Sequence, residues 1–396
     1  MTGGTPHQAL VGACLLLLVA TPARAQPSWL TGYLQTVPLF SGATDFADSS
    51  LTEFSRFRLS SRPVLGPLSF EVAYEHALTL RQRDSSAGFG LGAVPSGGER
   101  LDLEWTILDE EHVGWRHRFD RLNVAVSPTR ATEISAGRQA VSWGTTLFLT
   151  PADPFLPFSP ADPFRQFRGG VDAARVRLYP SPLSQIDLVV RPSQTAAGDE
   201  VTALGRGLAT WHNWELSGWA GSLYGDVTGA FGAAGGLGSW AVRSEGTLRQ
   251  IDGAVVFRGA IGLDRLLQVG GRDLSVGVEY QRDNLAAANP GEYLRVVLSE
   301  PFRRGEFQVL GRDETVVFTT FQLHPLVGLS GLWLWNLNDR SALLAPSVSY
   351  SAGDEVSVSG GVYVGVGESA VTPERPLASE YGQSGTTGYA SISWFF

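Results

Sequence analysis

The sequence predicts an all-β protein, a transmembrane antiparallel β-barrel of about 16 strands, with 14 to 18 as the range and an even count. Three observations predict it. The dominant hydrophobic period is two, in dyads of about ten residues separated by turns. Connections between successive dyads alternate between short and long. The chain ends on a strand, Gly388 to Phe396, in which Ile392, Trp394 and Phe396 share one face and the last residue is aromatic.

Strands are expected near 29–40, 51–61, 67–80, 119–127, 131–142, 171–179, 184–191, 213–224, 235–247, 254–263, 273–282, 314–324, 328–337, 342–351, 354–366 and 386–396. The alternation is plainest in four of them. Leu122, Val124 and Val126 oppose Arg121, Asn123 and Ala125; Ile186, Leu188 and Val190 oppose Asp187 and Arg191. Leu274, Val276, Val278 and Tyr280 oppose Ser275, Gly277, Glu279 and Gln281, and Val356 to Val366 repeats the pattern. Connections 81–118, 143–170, 192–212, 283–313 and 367–385 are long, whereas 62–66, 128–130, 180–183, 325–327 and 352–353 are short. Long external loops and short periplasmic turns suit a barrel with both termini on the periplasmic side. The Gly-rich region 222–272 leaves the strand count there open. Trp29, Tyr179, Trp211, Trp214, Tyr224, Trp240, Trp333, Trp335 and Trp394 fall near strand ends, as interfacial girdles require. A soluble β-sandwich also alternates, so the chain end and loop lengths carry the choice.

The division expected is 1–25 as a cleaved signal peptide and 26–396 as the barrel. Residues 10–20 are apolar, and Ala23 and Ala25 form an A-x-A cleavage site. Val11-Gly12-Ala13-Cys14 resembles a lipoprotein box, but the apolar run follows Cys14 instead of preceding it. No apolar stretch after residue 25 reaches a membrane-spanning helix. The 30 basic residues are all Arg, the formal net charge is −9, and Cys14 and Met1 are the only sulfur residues. Cleavage removes both, so disulfides, thiolate metal sites and Cys nucleophiles are excluded from the barrel. Without a basic block, nucleic acid is not an expected partner.

Residues 131–172 stand apart, with the motif running on to Arg175. They read Gly137-Arg138-Gln139, then Trp143-Gly144, then a loop in which Pro151-Ala152-Asp153-Pro154-Phe155 recurs as Pro160-Ala161-Asp162-Pro163-Phe164, then Gly170-Val171-Asp172-Ala173-Ala174-Arg175. Five prolines, at 151, 154, 157, 160 and 163, forbid a hairpin extension. Irregular backbone at membrane depth must be shielded inside the barrel, so this third external loop is expected to fold inward. Asp153 and Asp162 would accept from Arg138, Arg165, Arg168, Arg175 or Arg177 on the lumenal wall or loop. Phe148, Phe155, Phe158, Phe164 and Phe167 would either pack the loop on the wall or line a constriction. The candidate residues for constriction and anchoring are Arg138, Asp153, Phe155, Asp162, Phe164, Arg165, Arg168, Asp172, Arg175 and Arg177; those for assembly are Ile392, Trp394 and Phe396.

The run from His117 to Arg175 resembles a group of porin-like outer-membrane β-barrel proteins marked by Gly-Arg-Gln, Trp-Gly, a Pro-Asp-Pro-Phe-like loop and Gly-x-Asp-Ala-x-Arg. It is more distantly similar to phosphate-selective porins and alginate-export barrels. The C-terminal strand resembles the insertion signal of bacterial outer-membrane barrels. These resemblances imply an outer-membrane channel in a Gram-negative envelope, inserted by the barrel assembly machinery. They imply no substrate: Lys is absent, and no dense Arg ring is apparent.

Alternation assigns Arg56, Arg58, Arg121, Arg175, Arg177, Arg191, Arg243 and Arg258 inward, with Glu71, Glu75, Asp187, Glu245 and Glu279. A slightly positive lumen with weak anion preference is one expectation; a mutually neutralised Arg/Glu ladder is the other. His76, His112, His117, His212 and His324 are scattered; His112 and His117 share a predicted loop, a weak metal hint. No enzyme motif is found, and no cofactor is expected. The functional expectation is passive diffusion of small solutes, with membrane lipid as surroundings and homo-oligomers compatible. The alternatives are a dedicated uptake or export barrel for a larger or hydrophobic ligand, and a structural or adhesive barrel without an open pore.

Overall fold

The computed structural model describes residues 29–44, 48–82, 98–155, 164, 166–195, 198–372 and 377–396. The predicted leader lies outside these residues, as do Phe158, Asp162 and Arg165. The strands are β1 (Leu30–Ser41), β2 (Ser50–Ser61), β3 (Val64–Leu65), β4 (Leu68–Arg81), β5 (Glu104–Glu110), β6 (Val113–Thr129), β7 (Thr132–Gln139), β8 (Val171–Ser181), β9 (Ser184–Thr195) and β10 (Gly198–Trp211). They continue as β11 (Trp214–Leu223), β12 (Asp226–Leu237), β13 (Trp240–Ile251), β14 (Ala254–Val269), β15 (Arg272–Asp283), β16 (Asp313–His324), β17 (Val327–Asn336), β18 (Ala342–Ser351), β19 (Val356–Val366) and β20 (Thr387–Phe395). Two short helices, α1 (Tyr293–Val297) and α2 (Glu300–Arg303), lie between β15 and β16.

Eighteen strands close into one antiparallel barrel. The two-residue β3 pairs with β4, and β5 pairs with the upper part of β6, beyond the end of β7. Closure joins β1 to β20, from Tyr33 opposite Phe395 to Ser41 opposite Thr387. Phe396 completes the seam: Gly32 and Phe396 exchange backbone hydrogen bonds of 2.7 and 3.0 Å. No described helix is long and apolar enough to cross a membrane.

The barrel is turned inside out relative to a soluble protein. Leu122, Val124, Ile134, Leu188, Val190, Ile261, Trp333 and Ile392 are exposed on the outer face, whereas Arg56, Arg58, Glu75, Asp187, Arg191 and Glu279 are buried inside. Backbone groups facing hydrocarbon have no water to bond, and a closed ladder is one of the few solutions.

Two strands, β10 and β12, occupy positions the sequence reading gives to the loop 192–212 and to the unassigned stretch 225–234. The reason is lost contrast. In β10 the outer positions are Val201, Ala203, Gly205, Gly207 and Ala209, while Leu204 and Leu208 point inward with Arg206. In β12 the inner positions Ala230, Gly232, Ala234 and Gly236 offer no polar contrast to the outer Val227, Gly229, Phe231, Ala233 and Gly235. Loop parity also fails here, because the connections after β11 and β13 are two-residue turns at the long-loop end of the barrel, and only two residues separate β9 from β10. At the opposite end Gly270 and Gly271, and His212 and Asn213, take the positive φ that two-residue hairpin turns need. β6 begins at Val113, so His117 lies on a strand, its ring 3.0 Å from the Tyr74 hydroxyl. Among the described residues no cluster of three or more His, Cys, Asp or Glu is arranged to hold a metal.

Phe396 holds the seam and its ring stacks on Phe57, with centroids 6.1 Å apart. Deleting Phe396, or making Phe396→Asp, is expected to abolish heat-modifiable barrel in the membrane fraction. Unchanged band shift on unheated gels would contradict this role.

Candidate functional site

Between β7 and β8 the chain leaves the wall and enters the lumen. Two inward-facing glutamates grip its backbone. Glu245 on β13 accepts from the amides of Thr145 and Thr146 at 2.5 and 3.1 Å through Oε2, and from Ala152 at 2.9 Å through Oε1. Glu279 on β15 accepts from Leu147, Phe148 and Leu149 at 2.6, 2.8 and 2.9 Å. Gln308, from the connection between β15 and β16, takes the Thr150 amide at 2.6 Å and donates to the Phe148 carbonyl at 2.6 Å. A loop rich in proline has few partners of its own, so wall side chains supply the acceptors its amides need. Bonds to ionised acceptors are roughly twice as strong as neutral ones.

Apolar pegs fix the same loop at three places on the inner wall. Trp143 and Phe155 pack edge to face, centroids 5.0 Å apart, against Val189, Leu204 and Trp219. Phe148 and Leu149 sit on Val316, Phe318 and Leu334, with the Phe148 and Phe318 rings 4.7 Å apart. Phe164 reaches Val37, Leu39, Phe54 and Tyr389 on the far side. The described parts of 140–170 therefore contact walls on opposite sides of the lumen. Phe155 and Phe164 are buried as packing residues. Phe167 is more open, with the Arg58 guanidinium 4.4 Å above its ring.

The Gly-Arg-Gln and Gly-x-Asp-Ala-x-Arg residues turn out to be the wiring of this arrangement. Gly137 has φ +116°, and a Cβ there would lie 2.3 Å from the Leu122 carbonyl oxygen. A Cβ on Gly170 would meet the Asp120 carbonyl oxygen at 2.2 Å. Arg138 and Asp172 form a bidentate pair at 2.8 and 3.0 Å. Contrary to the lumenal assignment, alternation puts this pair on the face opposite Ser135 and Arg175, and its contacts are with Leu101: Arg138 donates to the Leu101 carbonyl and Asp172 accepts the Leu101 amide. It thus anchors the segment before β5, not the third loop. Gln139 remains inward, accepting from Ser135 and donating to the Ala173 carbonyl.

Asp153 is the loop's internal hub. It accepts from Ser142 at 2.8 Å, from the amides of Trp143 and Phe155, and from Arg168 at 2.6 Å. Its basic partner is thus Arg168 from the loop itself. Arg175 is bound by Asp187, which also accepts the Trp143 indole N–H at 2.9 Å, and Arg177 is bound by Glu133.

Much of the described lumenal charge is paired. Arg56 and Arg58 meet Glu75, Arg58 and Arg121 meet Asp120, Arg243 meets Asp264, and Arg258 meets Asp283. Alternation alone did not count Asp120, Glu133, Asp264 and Asp283 inward, nor Arg206 and Arg249. Tyr224 is also corrected: it lies inside, not in a girdle, accepting from Arg191 at 2.9 Å beneath the Arg304 guanidinium.

A second inward segment carries no signature in the sequence. From the β15–β16 connection, Glu306 binds Arg249 at 2.7 Å and its carbonyl accepts from Arg258 at 2.8 Å, while Arg304 binds Glu200. Gln308 ties this segment to Phe148 and Thr150 of the third loop, and Pro151–Pro154 and Arg304–Glu306 line one cleft with Trp219, Leu223 and Tyr224. The one available signal was the acid and Arg content of 300–306 in a long loop, which is common in solvated loops.

No family model matches the chain, and no curated protein matches it by sequence. Solved structures match the fold. OccAB1 of Acinetobacter baumannii aligns at TM-score 0.57 and 10% identity, over 93% of this chain and 96% of that one. A BenF-like porin from Pseudomonas fluorescens Pf-5 aligns at 0.54 and 11%, over 93% and 98%. The outer membrane protein opdK from Pseudomonas aeruginosa aligns at 0.52 and 9%, over 93% and 98%. The chain thus has the fold of these outer-membrane barrels along nearly its whole length.

Glu279→Ala would strand three loop amides, each costing about 1–3 kcal/mol while buried, so the loop is expected to let go. Protease cleavage between 145 and 152 should rise, with the barrel intact on unheated gels, while exposed Arg295→Ala changes neither. Equal protection of the loop in Glu279→Ala would refute the grip.

Proposed function

We propose that the chain is a porin-like channel of the Gram-negative outer membrane, through which small solutes diffuse passively. The observation that carries this reading is a closed barrel with an apolar exterior and a polar, charge-paired interior crossed by an inward-folded loop. An apolar outer face suits lipid, where Arg at the midplane costs about 2–4 kcal/mol. A charged lining serves a water-filled lumen. The proposal includes export by a signal peptide over residues 1–25 and insertion by the barrel assembly machinery through Ile392, Trp394 and Phe396. It assigns the chain no catalytic role, since its lumenal acids and arginines are engaged with one another and with the loops.

A second reading, a dedicated barrel for one larger ligand, is supported by the contacts between the two inward segments at Gln308. Planar-bilayer recording separates the two. Steady open current from the purified protein supports the diffusion channel; current that appears only with a ligand or partner supports the dedicated barrel; none under any condition refutes both.

Two expectations follow for the same recordings. Deleting 151–164 should raise conductance, because its described residues Phe155 and Phe164 pack on opposite inner walls. Because the described lumenal arginines are largely paired, the reversal potential in a tenfold KCl gradient should stay near zero. A shift of tens of millivolts toward the anion limit at low salt would show that unpaired Arg dominates the field.

A further inference from the structure

On the outer wall, the long-loop ends of β15, β16 and β17 step from charged to aromatic to aliphatic. Glu279, Gln281 and Asp283 of β15 and Glu314, Val316 and Phe318 of β16 are buried inside. Alternation therefore turns Tyr280 and Arg282, and Asp313, Thr315 and Val317, outward. On β17 Leu334 and Asn336 point in, while Trp333 and Trp335 point out with their rings stacked 5.7 Å apart. Register sets these residues in three levels. Arg282 stands opposite Asp313 nearest the long-loop end; Tyr280, Thr315 and Trp335 form the next level, and Val278, Val317 and Trp333 the third. The third level suits hydrocarbon and the second an aromatic girdle. The guanidinium then stands at headgroup depth.

The charged level carries more positive than negative charge. Asp313 accepts from Arg282 at 2.8 Å and from Arg312 Nε at 2.9 Å, and also from the Tyr280 hydroxyl at 2.6 Å and the Asn338 side chain at 3.1 Å. Among the described residues it is the only acid that either arginine meets. Arg340, exposed in the turn after β17 two residues beyond Asn338, pairs with no acid among them. One carboxylate, already taking four donors, therefore serves a rim that carries three guanidiniums. Arg312 uses only Nε on Asp313, so its two terminal nitrogens have no acceptor among the described residues. Such a fork matches two oxygens of a phosphate.

We propose that this rim binds the phosphate of an outer-leaflet glycolipid, with Arg312 and Arg282 on the phosphate and the stacked Trp333 and Trp335 along its acyl chains. Uncancelled positive charge selects an anionic headgroup. The indoles directly below it select a lipid over a free anion, because they offer apolar contact on the membrane side of the charge. Asp313 is a positioning residue that holds both guanidiniums at the wall. The site rests on outer-membrane placement with the long loops outward, and it holds whether or not the barrel conducts.

Native mass spectrometry of the detergent-purified full-length barrel tests this, with diphosphorylated lipid A as the probe and heat-modifiable migration as the check on folding. Wild type should retain the lipid, and the same lipid stripped of its phosphates should be lost. Each guanidinium beside an anionic headgroup contributes about fivefold in affinity, so the double variant Arg282→Gln with Arg312→Gln should bind roughly 25-fold more weakly. Arg265→Gln, which removes the guanidinium over Trp240 near the opposite end of the wall, should bind as wild type does. No retention by wild type, equal retention of the dephosphorylated lipid, an unchanged double variant or full displacement by millimolar inorganic phosphate would each overturn the site. Should the double variant fail to fold, the single variants and the two lipids on wild type decide. Envelope fractionation reads the placement separately: a barrel that sediments with the outer membrane yet retains no lipid A refutes the site alone.

Discussion

The interior of this barrel depends on one kind of bond, a wall carboxylate accepting from loop amides. Glu245 and Glu279 stand two strands apart, and between them they hold six amides of the stretch 145–152. Without those acceptors the irregular backbone would face a lumen lined with side chains that cannot complete its hydrogen bonding. With them, the loop becomes a fixed part of the wall. The aromatic pegs then have defined seats, and Trp143 reaches Asp187, which in turn orients Arg175.

A barrel in lipid inverts the usual economy of burial. The apolar residues are on the outside, so polar side chains must organise the interior. Each inward charge is expensive unless met, and the solution here is dense pairing between neighbouring strands and loops. The consequence is that charge is spent on architecture. Pro151–Pro154 and Arg304–Glu306, from the two inward segments, line one cleft.

Carboxylates also organise the long-loop end. Inside the barrel many acids find arginines, while Glu245 and Glu279 take loop amides; at the mouth Glu314, Asp339 and Glu380 find amides, an asparagine and tyrosine hydroxyls. Neutral donors satisfy geometry without cancelling charge, at the mouth as at Glu245 and Glu279.

The fold class, the outward faces of most strands and the closing role of the last strand were legible in the sequence, because period two and an aromatic end are local properties. β10 and β12 were not, because Gly and Ala erase the contrast on which periodicity relies. The inward course of the third loop followed from its prolines, since backbone lacking its own ladder must be shielded. Which groups hold it did not follow: Glu245 and Glu279 lie about 100 and 130 residues away from it in sequence. Arg138 shows the limit most clearly. Its type and spacing suggested a lumenal anchor, yet strand alternation and the crossing of residue 101 place its charge on the opposite face. Local pattern decides which face a residue takes; only the closed barrel decides what stands opposite it, because those partners are brought together by register across the sheet and not by neighbourhood along the chain.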